Sequence, residues 1–239
     1  TIDTVTATAN AALPKAGGTL TGNLATAGIS AVTAGTSNFV AGVNAGDSIT
    51  SGGNNNTLIG DNAGTTITTA SNNTAVGSRA MIANTSGAEN TAVGEQALTV
   101  NTTGANNTAI GKAALLLNTT ASYNTVVGSS AMYNNTTGSN NVAVGFQSLQ
   151  QNTTAYQNTA VGTTALKSTT TGLDNTGVGF SAMFANTTGY NNTAVGKSSL
   201  AANTTGAQNT SVGKGALQAN TTASYNTATG HAALTANTT

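Results

Sequence analysis

Glycine recurs at a strict interval of 17 residues through most of this chain. The interval holds without insertion or deletion from Asn56 to the end of the 239-residue sequence, which gives eleven copies of one unit. A fixed period of this length is typical of an array in which one small unit stacks on the next. We therefore expect a rod of equivalent coils rather than a domain built around one special site. The periodic glycines are Gly60, Gly77, Gly94, Gly111, Gly128, Gly145, Gly162, Gly179, Gly196, Gly213 and Gly230.

The repeated unit reads N-T-A-V-G-x-x-A-L-x-x-N-T-T-G-x-N, and its positions are numbered here from 1 to 17. Position 1 is Asn and position 13 is Thr in all eleven copies. Position 4 is Val or Ile except at Thr229, and position 9 is Leu or Met from Met81 to Leu234. Residues that recur in this way are candidates for holding the coil together. They are represented by Asn73, Val76, Gly77, Leu98, Asn101, Thr102, Gly104, Asn107 and Gly111.

Charged residues make up only 5% of the chain, and within the repeats they occupy four positions. An unpaired buried charge is very costly, so these positions should face water. We therefore predict that positions 6, 7, 10 and 17 face outward and that positions 3, 4, 8 and 9 face a core. The charged side chains are Asp61, Glu95, Lys112, Lys197 and Lys214 at position 6, Arg79 at position 7, Lys167 at position 10, and Glu89 and Asp174 at position 17.

The local pattern predicts a β-dominated repeat solenoid, a fibre similar to a β-helix. N-T-A-V has the composition of a short strand that ends at the glycine of position 5. Positions 6–11 favour either a single helical turn or a second short strand. The following N-T-T-G indicates a turn in which Gly supplies a positive φ angle. The invariant Asn of position 1 is explained either by a ladder of stacked side-chain amides or by turn chemistry alone.

The small core of each unit suggests that several chains associate. A unit offers one Val, one Leu or Met and two Ala, and the chain has no Trp and only 4% aromatic residues. A lone coil of this kind cannot offset the entropy of ordering its backbone. We expect a homotrimer, with the chains either intertwined or side by side. Intertwined chains would give each unit a rise of three strand spacings, each about 4.8 Å.

The sequence divides into an N-terminal segment (residues 1–35), a transition (36–55) and the repeat array (56–239). The N-terminal segment contains the only proline, in L-P-K-A-G-G-T-L-T-G-N-L from Leu13 to Leu24. This motif resembles one that is common in bacteriophage tail fibres ahead of their shafts. The array resembles repeats of phage tail fibres and related bacterial surface fibres. N-T-A-V-G is also similar to the N-S-x-A-I-G core of trimeric autotransporter adhesin heads, although the period and the A-L-x-x-N half differ.

The resemblance implies a structural shaft, either in a virion tail fibre or at a cell surface. Proteins of these families are typically homotrimers that bind a cell-surface glycan or protein receptor through a distal tip. The function expected here is to project such a tip for attachment to a host or another cell. A bacterial adhesin stalk and an extracellular filament are the alternatives, and the sequence identifies no receptor-binding residue.

The composition argues against several other classes of function. The net charge is zero, which disfavours nucleic acid as a partner, and no apolar run is long enough to insert into a membrane. Cysteine is absent, and the single histidine, His231, occupies outward position 6. The six carboxylates are scattered along the chain, and the four within the repeats each lie in a different unit. We therefore expect no enzyme activity, no cofactor and no metal site.

Two surface features leave further functions open. Rows of Thr or Ser at positions 13 and 14 could bind ice, although these residues have the pattern of a turn. Exposed aromatic residues could let the shaft itself adhere to sugars, because aromatic rings combine an apolar face with, in Tyr, a polar tip. These residues are Tyr123, Tyr156, Tyr190 and Tyr225 at positions 16 and 17, and Phe146 and Phe180 at position 6.

Overall fold

The computed structural model describes residues 29–30 and 34–238, which form a parallel β-solenoid. The motif from Leu13 to Leu24, and most of the predicted N-terminal segment, lie outside the described residues. Each repeat contributes one three-residue strand, and the thirteen described strands lie side by side in sequence order. The strands are β1 (Ile29–Ser30), β2 (Phe39–Ala41), β3 (Thr57–Ile59), β4 (Thr74–Val76), β5 (Thr91–Val93), β6 (Thr108–Ile110), β7 (Thr125–Val127), β8 (Val142–Val144), β9 (Thr159–Val161), β10 (Thr176–Val178), β11 (Thr193–Val195), β12 (Thr210–Val212) and β13 (Thr227–Thr229).

Successive repeats of one chain stack directly on each other. Each strand from β3 to β13 pairs in parallel with its neighbour at an offset of one unit, as in Thr74 with Thr91 and Val76 with Val93. The predicted β-solenoid is therefore confirmed, with a rise of one strand spacing, about 4.8 Å, per unit. This stacking leaves no place for a coil of another chain between two repeats. The intertwined arrangement, with its rise of three spacings per unit, does not fit this structure.

The solenoid begins before the first repeat. β2 pairs in parallel with β3, with Phe39 opposite Thr57, which is an offset of 18 residues rather than 17. Asn38 takes the place of a position-1 residue, because its Oδ1 accepts a hydrogen bond from the backbone N–H of Asn56. β1 then pairs antiparallel with β2. The segment that the sequence indicated as a transition thus forms one more coil with one extra residue.

The strand side chains alternate between the core and the surface. In β5 the middle residue, Ala92, is fully buried, whereas Thr91 and Val93 are half-buried on the outer side. Alternation is inevitable in a strand, because successive Cβ atoms point to opposite faces. The prediction that position 4 faces the core is therefore wrong for Val76 and its equivalents. The core contains positions 3, 8 and 9, for which Ala92, Ala97 and Leu98 are examples.

The outward positions agree in part with the charge pattern. Positions 6 and 17 are exposed in every described coil, as predicted. Most residues at positions 7 and 10 are only half-buried, and Ala113 and Leu116 are buried.

Positions 6–11 form consecutive turns, so both the predicted helical turn and the predicted second strand are wrong. Residues at positions 7 and 9 have left-handed backbones, for example Gln96 with φ 61° and Leu98 with φ 52°. A right-handed helix cannot continue through such residues. Their N–H groups instead bond between coils, from Gln96 to the carbonyl of Ser78 (2.9 Å) and from Leu98 to that of Ala114 (3.0 Å).

The two repeated glycine positions have different roles. Position 5 needs glycine for its backbone: Gly111 has φ 133°, and a Cβ there would lie 2.7 Å from the carbonyl oxygen of Gly128. Position 15 does not have the positive φ that the turn pattern predicted, as Gly104 illustrates. Alanine also occurs at position 15, as in Ala121 and Ala155, whereas no copy has alanine at position 5.

The crowding at Gly111 predicts unequal effects of alanine at two copies of position 5. Gly111→Ala should lower the free energy of unfolding by about 2–3 kcal/mol, because a strained φ is combined with contact to the next coil. Gly230→Ala is the matched control and should cost clearly less, because Gly230 has a similar φ of 123° but the nearest atom to an added Cβ would lie 4.0 Å away. Thermal and urea unfolding followed by circular dichroism would measure both variants. Equal losses of unfolding free energy in the two variants would contradict the role of the contact with the next coil.

Candidate functional site

The described residues do not bring a set of catalytic or metal-binding groups together. No group of three or more His, Asp or Glu side chains is close enough to hold a metal ion in the described part of the chain. His231 is exposed. One ion pair occurs among the described residues, between Lys112 Nζ and Glu95 at 3.0 Å, and both side chains are mostly exposed. What recurs along the chain is a set of hydrogen-bonded side-chain columns and outer faces.

The first column is a ladder of position-1 asparagines, which is one of the two explanations that the sequence left open for this position. Asn107 donates from its backbone N–H (2.9 Å) and from Nδ2 (3.1 Å) to Oδ1 of Asn90 in the preceding coil. Its own Oδ1 accepts from the backbone N–H of Asn124 in the following coil (3.1 Å). Asn73 makes the same contacts with Asn56, and these side chains are fully buried. The amide ladder is therefore confirmed.

A second buried ladder runs through position 12, where the sequence indicated only a turn. Asn101 Nδ2 donates to Asn84 Oδ1 (2.8 Å) and to the carbonyl of Gly104 (2.9 Å). Asn118 Nδ2 donates in turn to Asn101 Oδ1 (2.8 Å). Asn occupies this position in nine of the eleven copies, a frequency that could have suggested a ladder as it did for position 1.

Threonine hydroxyls form a third column at position 13. Thr102 Oγ1 donates to the backbone carbonyl of Thr119 in the next coil (3.1 Å), and Thr85 Oγ1 donates to Thr102 (3.0 Å). These hydroxyl protons are engaged in hydrogen bonds along the axis. Of the two Thr rows that suggested ice binding, the position-14 row is the exposed one.

The outer side of the sheet is a long uncharged surface, called here the sheet face. It consists of the side chains at positions 2 and 4 of β3–β13, which are Thr and Val or Ile in most copies. No copy has a charged residue at either position. Several of the aliphatic side chains are more than a third exposed, namely Ile59, Ile110, Val195 and Val212.

The exposed aromatic residues of the repeats lie on three other parts of the coil, at position 6, at position 10 and at positions 16 and 17. Phe146 and Phe180 project from position 6, and Lys197 Nζ lies 5.6 Å from the centre of the Phe180 ring. Phe184 borders an open groove of about 650 Å³ with Ala201 and Ala202 among its lining residues. The tyrosines project from positions 16 and 17.

Comparisons with known proteins do not assign the chain to a family. No protein-family model, curated protein sequence or solved structure matches it. In the described part of the chain, no helix is long and apolar enough to cross a membrane.

One copy interrupts the second ladder. Thr169 stands where other copies have Asn, so Asn152 Oδ1 is buried without a hydrogen-bond partner. On the other side, Asn186 Nδ2 donates to Thr169 Oγ1 over a long distance of 3.5 Å. Among the described residues, Asn152 Oδ1 is the one buried side-chain polar atom left unsatisfied. The ladder is therefore split into two shorter runs.

Thr169→Asn should repair this break, because the new amide would donate to Asn152 Oδ1 and accept from Asn186. We expect the free energy of unfolding to rise by about 1–3 kcal/mol, the penalty of one unsatisfied buried acceptor. Asn118→Thr is the converse control and should create an equivalent break with a loss of similar size. Denaturant unfolding of both variants beside the parent chain tests this, and an unchanged midpoint for Thr169→Asn would contradict it.

Proposed function

We propose that this chain is the shaft of a structural fibre, either of a tail fibre or of a related surface adhesin. The observation that supports this most directly is an uninterrupted stack of coils in which every coil is tied to the next at many points. Within coil 90–106, N–H groups at positions 2, 9, 11 and 13 bond to the following coil, and those at positions 5 and 7 bond to the preceding one. The role of such a body is mechanical: it sets length and stiffness.

The side-chain ladders support the same role. Two asparagine columns and one threonine column run parallel to the axis, so bending the rod at a coil boundary would stretch several hydrogen bonds at once. The eleven repeats span about 53 Å at one strand spacing each. A receptor-binding tip carried by this shaft would thus be held at a fixed distance from its anchor. The proposed location is a virion or a cell surface, and an adhesin stalk or extracellular filament would use the same mechanics.

The proposed partner in the shaft is the chain itself, as a side-by-side homotrimer. Each chain buries its own core, as Ala97 and Leu98 illustrate, so the sharing of core residues is not the reason for association. The sheet face supplies the reason instead: it is continuous, uncharged and partly aliphatic over its whole length. Contiguous exposed apolar surface of this kind commonly marks a protein interface.

The area of the sheet face favours more than two chains. A strip about 53 Å long and 10 Å wide presents about 500 Å² on each chain. Two chains would bury about 1,000 Å² in total, which is at the lower limit for a specific interface. In a trimer, the sheet faces of three chains would meet at one axis and form a common apolar core. The total buried area would then be larger, because the third chain also buries its sheet face. A trimer through this face therefore agrees with the expected assembly.

The trimer is tested by placing charges on the sheet face. Ile110→Lys combined with Val195→Lys should give a folded monomer, because two buried ammonium groups per chain would be unpaired at the interface. Ser129→Lys is the control, since position 6 already carries lysine in other copies. Light scattering measures the mass, with three times 23.1 kDa expected for the parent chain and the control. A monomeric parent chain, or a charged variant that remains trimeric, would overturn this assembly.

A further inference from the structure

Four exposed tyrosines recur at every second coil, two at position 16 and two at position 17. Tyr123, Tyr156, Tyr190 and Tyr225 belong to the fourth, sixth, eighth and tenth repeats, so one tyrosine projects from every second coil. Their exposed fractions are 62%, 45%, 45% and 78%. Since the rise is one strand spacing per coil, neighbouring tyrosines are about 9.6 Å apart along the axis. We call these four residues the tyrosine row.

The backbone beneath the row is hydrogen-bonded between coils. Asp174 N–H donates to the Tyr156 carbonyl (3.3 Å), and Gln208 N–H donates to the Tyr190 carbonyl (3.0 Å). In the described part of the chain, the tyrosine hydroxyls make no hydrogen bond with another residue. The backbone of the tyrosines is therefore held at fixed axial intervals, and their hydroxyl groups remain available.

Small polar groups stand between the rings. Position 17 of the intervening coils carries Asn140, Asp174 and Gln208, and all three residues are exposed. Along the axis, a coil with a tyrosine at position 16 or 17 thus alternates with a coil that carries an amide or a carboxylate at position 17. Amides offer both donors and acceptors, and a carboxylate accepts hydrogen bonds. Except for Asp174 in its middle, the row is uncharged from Tyr123 to Tyr225.

We propose that the tyrosine row binds an extended, neutral, β-linked polysaccharide that lies along the shaft. In such a chain one pyranose ring advances by about one strand spacing (~5 Å). Every second ring would then stack its C–H face on a tyrosine, and the ring between would meet the polar residue of the intervening coil. Asp174 disfavours an acidic polysaccharide, because like charges repel. The shaft itself would contribute to attachment, which goes beyond the proposed role of a spacer.

The geometry also determines how many sugars are used. Tyr123 and Tyr225 are six coils apart, so the row matches about seven consecutive pyranose rings, one per strand spacing. Affinity should rise with glycan length, because each further tyrosine acts on a ligand that is already held. It should level off once the whole row is spanned. A ligand that contacts a single tyrosine would bind weakly and show no such dependence.

The probe is the series of β-1,4-linked glucose oligomers from cellobiose to cellohexaose, measured by isothermal titration calorimetry on the full chain. Cellohexaose should bind at least 10-fold more tightly than cellobiose. Tyr156→Ala combined with Tyr190→Ala should weaken cellohexaose binding about 10-fold, the loss of two aromatic contacts. Maltohexaose, whose α-linkages curve the chain, should bind much more weakly than cellohexaose.

Phe146→Ala combined with Phe180→Ala is the matched control. These phenylalanines are about as exposed as the central tyrosines and are also two coils apart, but they lie at position 6. The control should bind cellohexaose like the parent chain. No binding by the parent chain, equal losses in both double variants, or equal binding of maltohexaose would overturn the proposal. Light scattering on the same samples separates this outcome from a failure of the trimeric shaft.

Discussion

The buried asparagine side chain is the interaction on which this solenoid depends. A carboxamide carries a donor and an acceptor on one short stem, so it can accept from one coil and donate to the other without a break. At position 1, Asn107 Oδ1 receives the backbone N–H of Asn124, and Asn107 Nδ2 reaches back to Asn90. Aspartate lacks the donor and leucine lacks both groups. A buried column that must be satisfied in every coil therefore requires asparagine, which accounts for its invariance at this position.

The hydrogen bonds between coils also explain a backbone that would be unfavourable elsewhere. Each repeat has left-handed residues at positions 7, 9 and 17 in addition to the glycine of position 5, and position 9 carries a large side chain such as Leu149 (φ 48°). Left-handed backbone costs a non-glycine residue about 1–2 kcal/mol. Here it aims N–H groups at carbonyls of neighbouring coils and turns Leu149 fully into the core. Local preference is thus overridden by stacking, as is general in solenoids.

This override determines what the sequence could predict. The period, the strand of positions 2–4 and the exposure of positions 6 and 17 follow from spacing and charge, whereas for the invariant Asn the sequence left an amide ladder and turn chemistry as alternatives. The outward direction of the Val76 side chain could not be predicted in this way, because a lack of charge at position 4 is expected for an uncharged outer face as well as for a core. The turn geometry around Leu98 was missed because leucine favours a right-handed helix. The role of Asn101 was missed because N-T-T-G is also an ordinary turn sequence. In each case a contact between coils, invisible within one unit, decided the outcome.

Repetition builds the solenoid, and individual properties arise where one copy departs from the repeat. Some departures are compensated: Ser199 and Ser211 replace two core alanines and bond to each other at 2.6 Å, and Ser211 then donates to the carbonyl of Ala216. Thr169 is uncompensated, because no side chain replaces the amide that Asn152 requires. The tyrosines themselves are exposed, and changing an exposed side chain costs the fold little. Selection for a ligand can therefore act on these side chains without disturbing the ladders, and a binding row on a repetitive rod should be sought there rather than in its invariant residues.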